Sequence, residues 1–355
     1  MTVSSLSMSN SSRTVIQRLQ LELAKAEKET GSMRHADVGL TLGGQTAATV
    51  SFRSQESSFK SQITSNKAVM SNLELMDDSL STLSQSAEAM KSALTSTLAV
   101  KDSKTLGVAV EQAKSSLEQM AGALNISFGG QGLFGGANTD VPALTGGTGS
   151  KATQDQFKAF VTAATAATGS ADSPSNVTKA QMEAYLGAGF TSGGTTYRFD
   201  ALFSDAEWSK SWSDASDAQM TARISPSESI TSSLSANDPA FRKLAASYSL
   251  IADLDIAGMS EEMRSLVVTK ARTDIQAGID GVIRLQTEIG FRLSRITSAN
   301  EQLTVQMDTA TKSYGSLEDV DPAEVALRVN NLLTQLQATA EVTGRIRALN
   351  ILDYL

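Results

Sequence analysis

The sequence predicts a mainly α protein with an α+β insert. Its N- and C-terminal segments form a long antiparallel helical rod, with a β-hairpin region and a globular domain inserted mid-chain. Three observations carry this. Apolar residues recur at alternating steps of three and four in both halves of the chain, the signature of helices packing lengthwise. Only 5 prolines and 5% aromatics occur in 355 residues, which suits long helices more than a compact sandwich. Between the halves, from about residue 145 to 224, the texture turns to Gly, Ser, Thr and Ala, with loop signals such as "GGTGSK" and "TSGGTTYRF".

The first helix carries Ile16, Leu19, Leu23 and Ala26 on one stripe and meets a break at Thr30-Gly31. Gly43-Gly44 marks a second break. A long helix follows, with its seam at Phe59, Ile63, Asn66, Met70, Leu73, Asp77 and Leu80. Leu80 to Leu83 repeats a step of three, a slip that locally changes the winding of a helix pair, and the seam resumes at Ala87, Met90 and Leu94. After the polar turn "KDSK", Leu106, Val110, Ala113, Leu117, Met120 and Leu124 make a further seam.

In the middle region, short helices are expected over 155–167 and 179–186, and short strands around 195–199. Trp208 and Trp212 lie four apart and are read as anchors of the insert's core; the alternative is a platform for carbohydrate or a partner. Asp238 then caps a helix whose first residue is Pro239, continued by Phe241, Leu244, Tyr248 and Ile251. The clearest seam comes next: Ile275, Ile279, Val282, Gln286, Ile289, Leu293, Ile296, Asn300, Leu303 and Met307. Asp321 caps the last helix, with Pro322 first and Glu324 placed for a capping box, followed by Val325, Val329, Leu332 and Leu336. Polar residues on the seams (Asn66, Asp77, Gln286, Asn300) lower stability but fix register.

Composition excludes much chemistry. No cysteine occurs, so disulfides, thiolate catalysis and cysteine metal sites are absent. His35 is the only histidine, and beside Arg34 and Asp37 it reads as a surface or packed residue. Asp77-Asp78 read as a solvated helix face, and Glu261-Glu262 as first-turn residues favoured by the helix dipole. The expectation is no catalytic, metal or cofactor site. A net charge of -8 argues against nucleic acid, whose phosphates need clustered Lys and Arg. No apolar run is long enough to span a membrane, and the first residues lack the apolar core of a cleavable signal.

One motif points elsewhere. Gly130-Gln131-Gly132-Leu133-Phe134-Gly135 fits the G-x-G-x-x-G pattern of a dinucleotide loop, with Asp155 at about the ribose-binding distance. Such a loop needs a strand before it and a helix starting within it. Here a helical seam precedes it and "ANTDVP" follows. The glycines are therefore read as ending a helix in a left-handed conformation. They then reverse the chain into a short β segment, with Leu133 and Phe134 packed on the rod.

Several stretches together carry a family resemblance. They are "RHADVGLTLG" (34–43), "FGGQGLFGGANTDVPAL" (128–144), "AEWSKSWSDASDAQMTARISPSE" (206–228) and "LEDVDPAEVALRVNNLLTQLQATAEVTGRIRALNILDYL" (317–355). The chain resembles the bacterial flagellin superfamily, and within it the hook-associated proteins of the hook–filament junction, the third such protein in its alphaproteobacterial form. Filament flagellins usually carry a run like "SGLRINSAKDDAAGLAI" after the first helix. Here "TGSMRHADVGLTLGGQTAATV" stands in its place, which favours the junction type over a filament flagellin. The residues carrying the turn motif are Leu133, Phe134, Gly135, Gly136, Asp140 and Pro142.

The resemblance implies a structural, secreted subunit of the flagellum and no enzyme. Residues 1–42 and 315–355 would form an inner tube, 43–144 and 223–314 the rod, and 145–222 the outer domain. It implies a homo-oligomeric ring. The partners it implies are the preceding hook-associated protein, flagellin, an export chaperone and the type III export apparatus. Ile16, Leu19, Leu23, Leu332, Leu336, Ile346, Leu349, Leu352 and Leu355 are the expected assembly interface. The stripe of the first helix is too thin to offset the ordering of its backbone, so both termini are expected to fold on assembly.

Overall fold

The structure is a computed structural model that describes residues 5–100, 102–145 and 147–352. Its helices are α1 (Ser5–Ser32), α2 (Val38–Leu42), α3 (Thr46–Val100), α4 (Ser103–Leu124), α5 (Gly147–Thr168), α6 (Lys179–Leu186), α7 (Asp205–Ser211), α8 (Pro239–Ala252), α9 (Glu261–Glu318) and α10 (Pro322–Leu352). The strands pair as three antiparallel hairpins: β1 (Ser127–Phe128) with β2 (Gln131–Gly132), β3 (Phe190–Ser192) with β4 (Thr195–Tyr197), and β5 (Thr221–Ser225) with β6 (Glu228–Thr231). The mainly α class with a small α+β region is as the sequence predicts.

The chain divides into two compact units, Met1–Ser61 with Gln302–Leu355, and Gln62–Glu301. In the first, α1 packs on α10. The parts of α3 and α9 that belong to this unit run antiparallel, because Arg53 meets Glu318 while Glu56 meets Tyr314. The first break falls later than expected. Helix α1 continues through Thr30-Gly31 to Ser32, and the chain turns at Met33, whose φ is 55°. Gly31 is exposed, and a single helical glycine costs only about 1 kcal/mol, too little by itself to end the helix. The turn is imposed from outside the helix: the Met33 carbonyl accepts the Val320 N–H at 3.1 Å. Asp37 caps α2 through Leu40 N–H, and Gly43 ends it at φ 53°.

The second unit holds one continuous core. Leu73, Leu80, Leu83, Ala87, Met90 and Leu94 of α3 are buried, as are Leu106, Ala113, Met120 and Leu124 of α4. Leu80 and Leu83, the two sides of the slip, are both fully inside. Tyr248 of α8 and Ile275, Ile279, Val282 and Ile289 of α9 join the same cluster. Asp238 caps α8 by accepting from Ala240 N–H, and Pro239 opens it, as its sequence predicts. At the start of α10, Asp321 accepts from Ala323 N–H, while the Glu324 carboxylate pairs with Arg328.

Of the four polar seam residues, Asn66 and Asn300 meet. Asn66 Nδ2 donates to Asn300 Oδ1 and to the Ile224 carbonyl, both at 2.8 Å. Gln62 Nε2 donates to Asn66 Oδ1 at 2.9 Å and to the Arg223 carbonyl at 2.7 Å. These amides tie α3, α9 and the β5–β6 hairpin together where its register shifts between Arg223 and Ser225. Asp77 and Gln286 are half-buried and take no part.

The middle region is more regular than its composition suggests. Helix α5 starts at Gly147, well before residue 155, and α6 occupies the expected Lys179–Leu186. The strand expected around 195–199 is a hairpin with 190–192, and Phe199 instead opens a 3-10 turn. Aromatic rings hold the region together. Phe160 stacks on Tyr185 at 4.2 Å, Phe203 lies 5.6 Å from Trp212, and Trp208 stacks on Trp212 at 5.4 Å. Both tryptophans are buried, as anchors of the core rather than a platform. Asp274, buried in α9, accepts Lys243 at 2.9 Å and Lys270 at 2.6 Å, and Lys270 reaches on to Asp200 at 3.1 Å. Burial alone would lower the Lys270 ammonium, but Asp274 and Asp200 outweigh it and hold it above its ordinary value.

Two outcomes test this packing. Asn66→Ala leaves the Ile224 carbonyl without its side-chain donor and is expected to cost about 1–3 kcal/mol, read from urea unfolding. Asp253, at the end of α8, has its carboxyl pushed above the usual range by burial, although Gln154 donates to it at 3.0 Å. The folded state thus keeps that proton to higher pH than the unfolded chain, and stability falls as pH rises through the window between the two pKa values. Asp253→Asn should raise the melting temperature at pH 7, with the gain shrinking as pH falls through that window towards about 4, below which both states are protonated.

Candidate functional site

The expected assembly residues lie on α1 and α10. Leu19, Ala26 and Leu332 are buried together, and Val15, Leu23, Val329 and Leu336 pack around them. Ile16 is half-buried beside this cluster rather than part of it. Ile346, Leu349 and Leu352 fall in the last turns of α10, where side chains lie outside the described residues, as does Leu355 altogether. An ion pair between a buried carboxylate and a half-exposed arginine reinforces the helix pair. Glu29 accepts Arg328 Nη1 at 3.1 Å and the Ala36 N–H at 3.0 Å. His35 Nδ1 lies 3.9 Å from the same carboxylate.

The pair buries one stripe and leaves other apolar side chains bare. Leu21, Leu327, Leu333 and Val342 are exposed, Leu21 and Leu327 by more than 60%. Sequence reasoning missed these because it followed only residues in step with the seam. The signal was present as large apolar residues out of step with it.

The glycine-rich run is built differently from its first reading. Helix α4 ends at Asn125, whose backbone N–H bonds Ala121 O and whose side chain bonds both the N–H and the carbonyl of Leu144. No glycine caps it. Gly129 and Gly130, at φ 60° and 82°, form instead the two-residue loop between β1 and β2, where both central residues need positive φ.

The chain then passes through Leu133 and Phe134, both buried, as predicted. Phe134 meets Phe241 edge-to-face at 5.9 Å. Backbone bonds lace the run to its neighbours: Gly136 N–H to Leu234 O at 2.9 Å, Ala236 N–H to Phe134 O at 2.7 Å, and Ser216 N–H to Gly135 O at 2.9 Å. A Cβ on Gly135 would lie 2.0 Å from Asn138 O, and one on Gly136 2.1 Å from Ser216 O. Asp140 and Pro142 of the same motif are exposed.

This geometry rules out a dinucleotide loop. The space a pyrophosphate would need beside Gly135 and Gly136 is filled by the chain's own carbonyl oxygens. No helix starts in the run, since α5 begins at Gly147. Asp155 pairs with Lys151 on the exposed face of α5 at 3.0 Å. Among the described residues no helix is long and apolar enough to cross a membrane.

Long paired terminal helices around a small insert define a structural subunit of the flagellin type. The model of the bacterial flagellin N-terminal helical region matches residues 3–139, and that of the C-terminal helical region matches residues 273–355. Together they span well over half the chain, which belongs to the bacterial flagellin family.

Among solved structures, a putative flagellar hook-associated protein from Vibrio parahaemolyticus shares the fold at TM-score 0.53 and 11% identity, over 77% of this chain and 97% of that one. FlgL of Bacillus cereus aligns at TM-score 0.48 and 11% identity, over 75% of this chain and 98% of that one. No curated protein matches the chain.

The close approach at Gly136 yields a direct test. Gly136→Ala combines positive φ with a clash against fixed backbone, and is expected to cost more than about 1 kcal/mol in urea unfolding.

Proposed function

We propose that this flagellar subunit joins hook to filament and offers the surface on which flagellin polymerises. The observation that carries the reading is the half-covered helix pair. Leu19, Ala26 and Leu332 hold α1 to α10, while Leu21, Leu327, Leu333 and Val342 face outward with nothing on them. Apolar side chains at that density call for neighbours in an assembly. The apolar cluster these helices share is small for the length of helix it orders, so in this reading the pair gains its full stability from adjacent subunits.

In this reading residues 1–42 and 315–355 line an inner tube, 43–144 and 223–314 form the rod, and 145–222 face outward. The subunits close into a ring. Its partners are the preceding hook-associated protein on one side and flagellin on the other. A chaperone covers the apolar ends before the type III apparatus exports the chain.

The junction role, rather than that of filament flagellin, is supported by the sequence of 30–50, which departs from the filament pattern. The fold is also shared with a protein described as hook-associated. Immunolabelling of isolated flagella separates the two. The expected result is one narrow band at the hook–filament boundary; label along the whole filament would make the chain a filament flagellin. Leu352→Asp is expected to abolish assembly, leaving hooks that shed flagellin, while far-UV circular dichroism of the monomer barely changes. Normal flagella in that variant would remove the C-terminal end from the interface.

A further inference from the structure

Phe291 is the most exposed aromatic side chain among the described residues, at 69%. It stands on α9, on the side turned away from the buried row Val282, Leu285, Ile289 and Ile296. A lone exposed ring is ordinary on a protein surface. What singles this one out is that the same compact unit also carries a recess for such a ring.

The recess has a volume of about 590 Å³ and lies between α4, the start of α5 and the end of α8. Leu117 and Ala121 of α4, with Leu144 and Trp212, give it apolar walls. Glu118 stands at its edge, exposed and in no ion pair among the described residues. Lys114 beside it is taken by Glu111 at 2.8 Å. Asp253 lies deeper and accepts Gln154 at 3.0 Å. The recess is thus apolar within and acidic at its edge.

The setting of Phe291 is the complement. Arg295 lies one turn after it on the same side of α9 and is 53% exposed. It bonds Glu228, but its guanidinium has more N–H donors than that pair uses. Glu288, three residues before the ring, is already held by Arg284 at 2.7 Å and Arg292 at 3.4 Å.

Ring and recess cannot meet within one copy. Ala240 and Leu244 of α8 face Gly281 and Gly278 of α9, so these helices run antiparallel. From that contact Ala252, at the recess, lies one way and Phe291 the other. At about 1.5 Å per residue the two are on the order of 30 Å apart along the helices. A contact between unlike patches joins copies head to tail, each lending its ring to one neighbour and its recess to the other. We propose that Phe291 of one copy seats between Leu117 and Trp212 of a second copy of this chain, with Arg295 meeting Glu118 there. The inference deepens the reading above and rests on its statement that the subunits assemble with one another. It depends neither on the terminal helices nor on where along the flagellum the copies lie.

The chain has no cysteine, so thiols can be placed at will. Ser294→Cys, beside the ring, and Lys114→Cys, at the recess, replace exposed side chains and leave Phe291 and Glu118 in place. Flagella from cells making this double variant would be isolated and treated with a short bis-maleimide cross-linker. The expected result on denaturing gels is a ladder of covalent dimers, trimers and larger multimers of this chain. Either cysteine alone cannot extend beyond a dimer. Ser294→Cys with Thr195→Cys, an exposed position outside the recess, should stay monomeric. Adding Phe291→Asp to the double variant should abolish the ladder, while the purified monomer melts as the parent does.

The contact is overturned if flagella containing the double variant give no ladder. It is equally overturned if the ladder survives Phe291→Asp or appears as strongly with Thr195→Cys. Should the double variant enter flagella only alongside the parent chain, the same readings apply to its covalent dimer. Immunolabelling reports the place along the flagellum and cross-linking reports the neighbour. A ladder from a chain labelled along the whole filament would therefore keep the contact and remove the junction, and a missing ladder at the boundary would do the reverse.

Discussion

The bond between Asn66 and Asn300 is the constraint on which the helical body depends. Two long helices with apolar seams can slide by a turn and still bury leucine against isoleucine. An amide inside the seam cannot slide, because a lost partner leaves a polar group buried. Asn66 has a further obligation to the Ile224 carbonyl, so the same side chain that sets the register of α3 on α9 also sets where the β5–β6 hairpin lies. Gln62 repeats the arrangement one turn away.

From that hairpin the order passes outward through backbone contacts. Leu234 and Ala236, just past β6, bond to Leu133, Phe134 and Gly136, and Ser216 bonds to Gly135. The glycines there are spacers that let three stretches of chain approach to backbone contact. Phe134 fills the floor beneath them against Phe241. The aromatic set from Phe157 to Trp212 belongs to the same continuous core, so the middle region is fixed to the helices rather than suspended from them.

The terminal helices are joined differently: their shared core is small, and beside it Arg328 of α10 pairs with Glu29 of α1. Under the proposed reading, a flagellin-family subunit of this kind combines a body with a large core of its own and ends that other subunits complete.

Much of this was legible in the chain. The alternating seams placed the long helices, Asp238-Pro239 and Asp321-Pro322 marked two helix starts, and the lack of cysteine with a single histidine left little room for site chemistry. Those features are local, and local patterns follow from backbone geometry and the helical period. What the sequence misassigned was decided at a distance. Thr30-Gly31 looks like a stop, yet the turn comes at Met33 because Val320 waits to bond it. The Gly129–Gly136 run looks like a helix cap or a phosphate loop. It is a hairpin followed by a close crossing, since the atoms facing it are Asn138 O and Ser216 O. Asn66 and Asn300 were visible as polar residues on two seams, but only the fold made them partners. The sequence alone determined which segments are helical and which faces are apolar; the tertiary structure decided the breaks, the use of the glycines and the pairing of buried polar groups. Those depend on which backbone and side-chain atoms arrive from far along the chain to satisfy them.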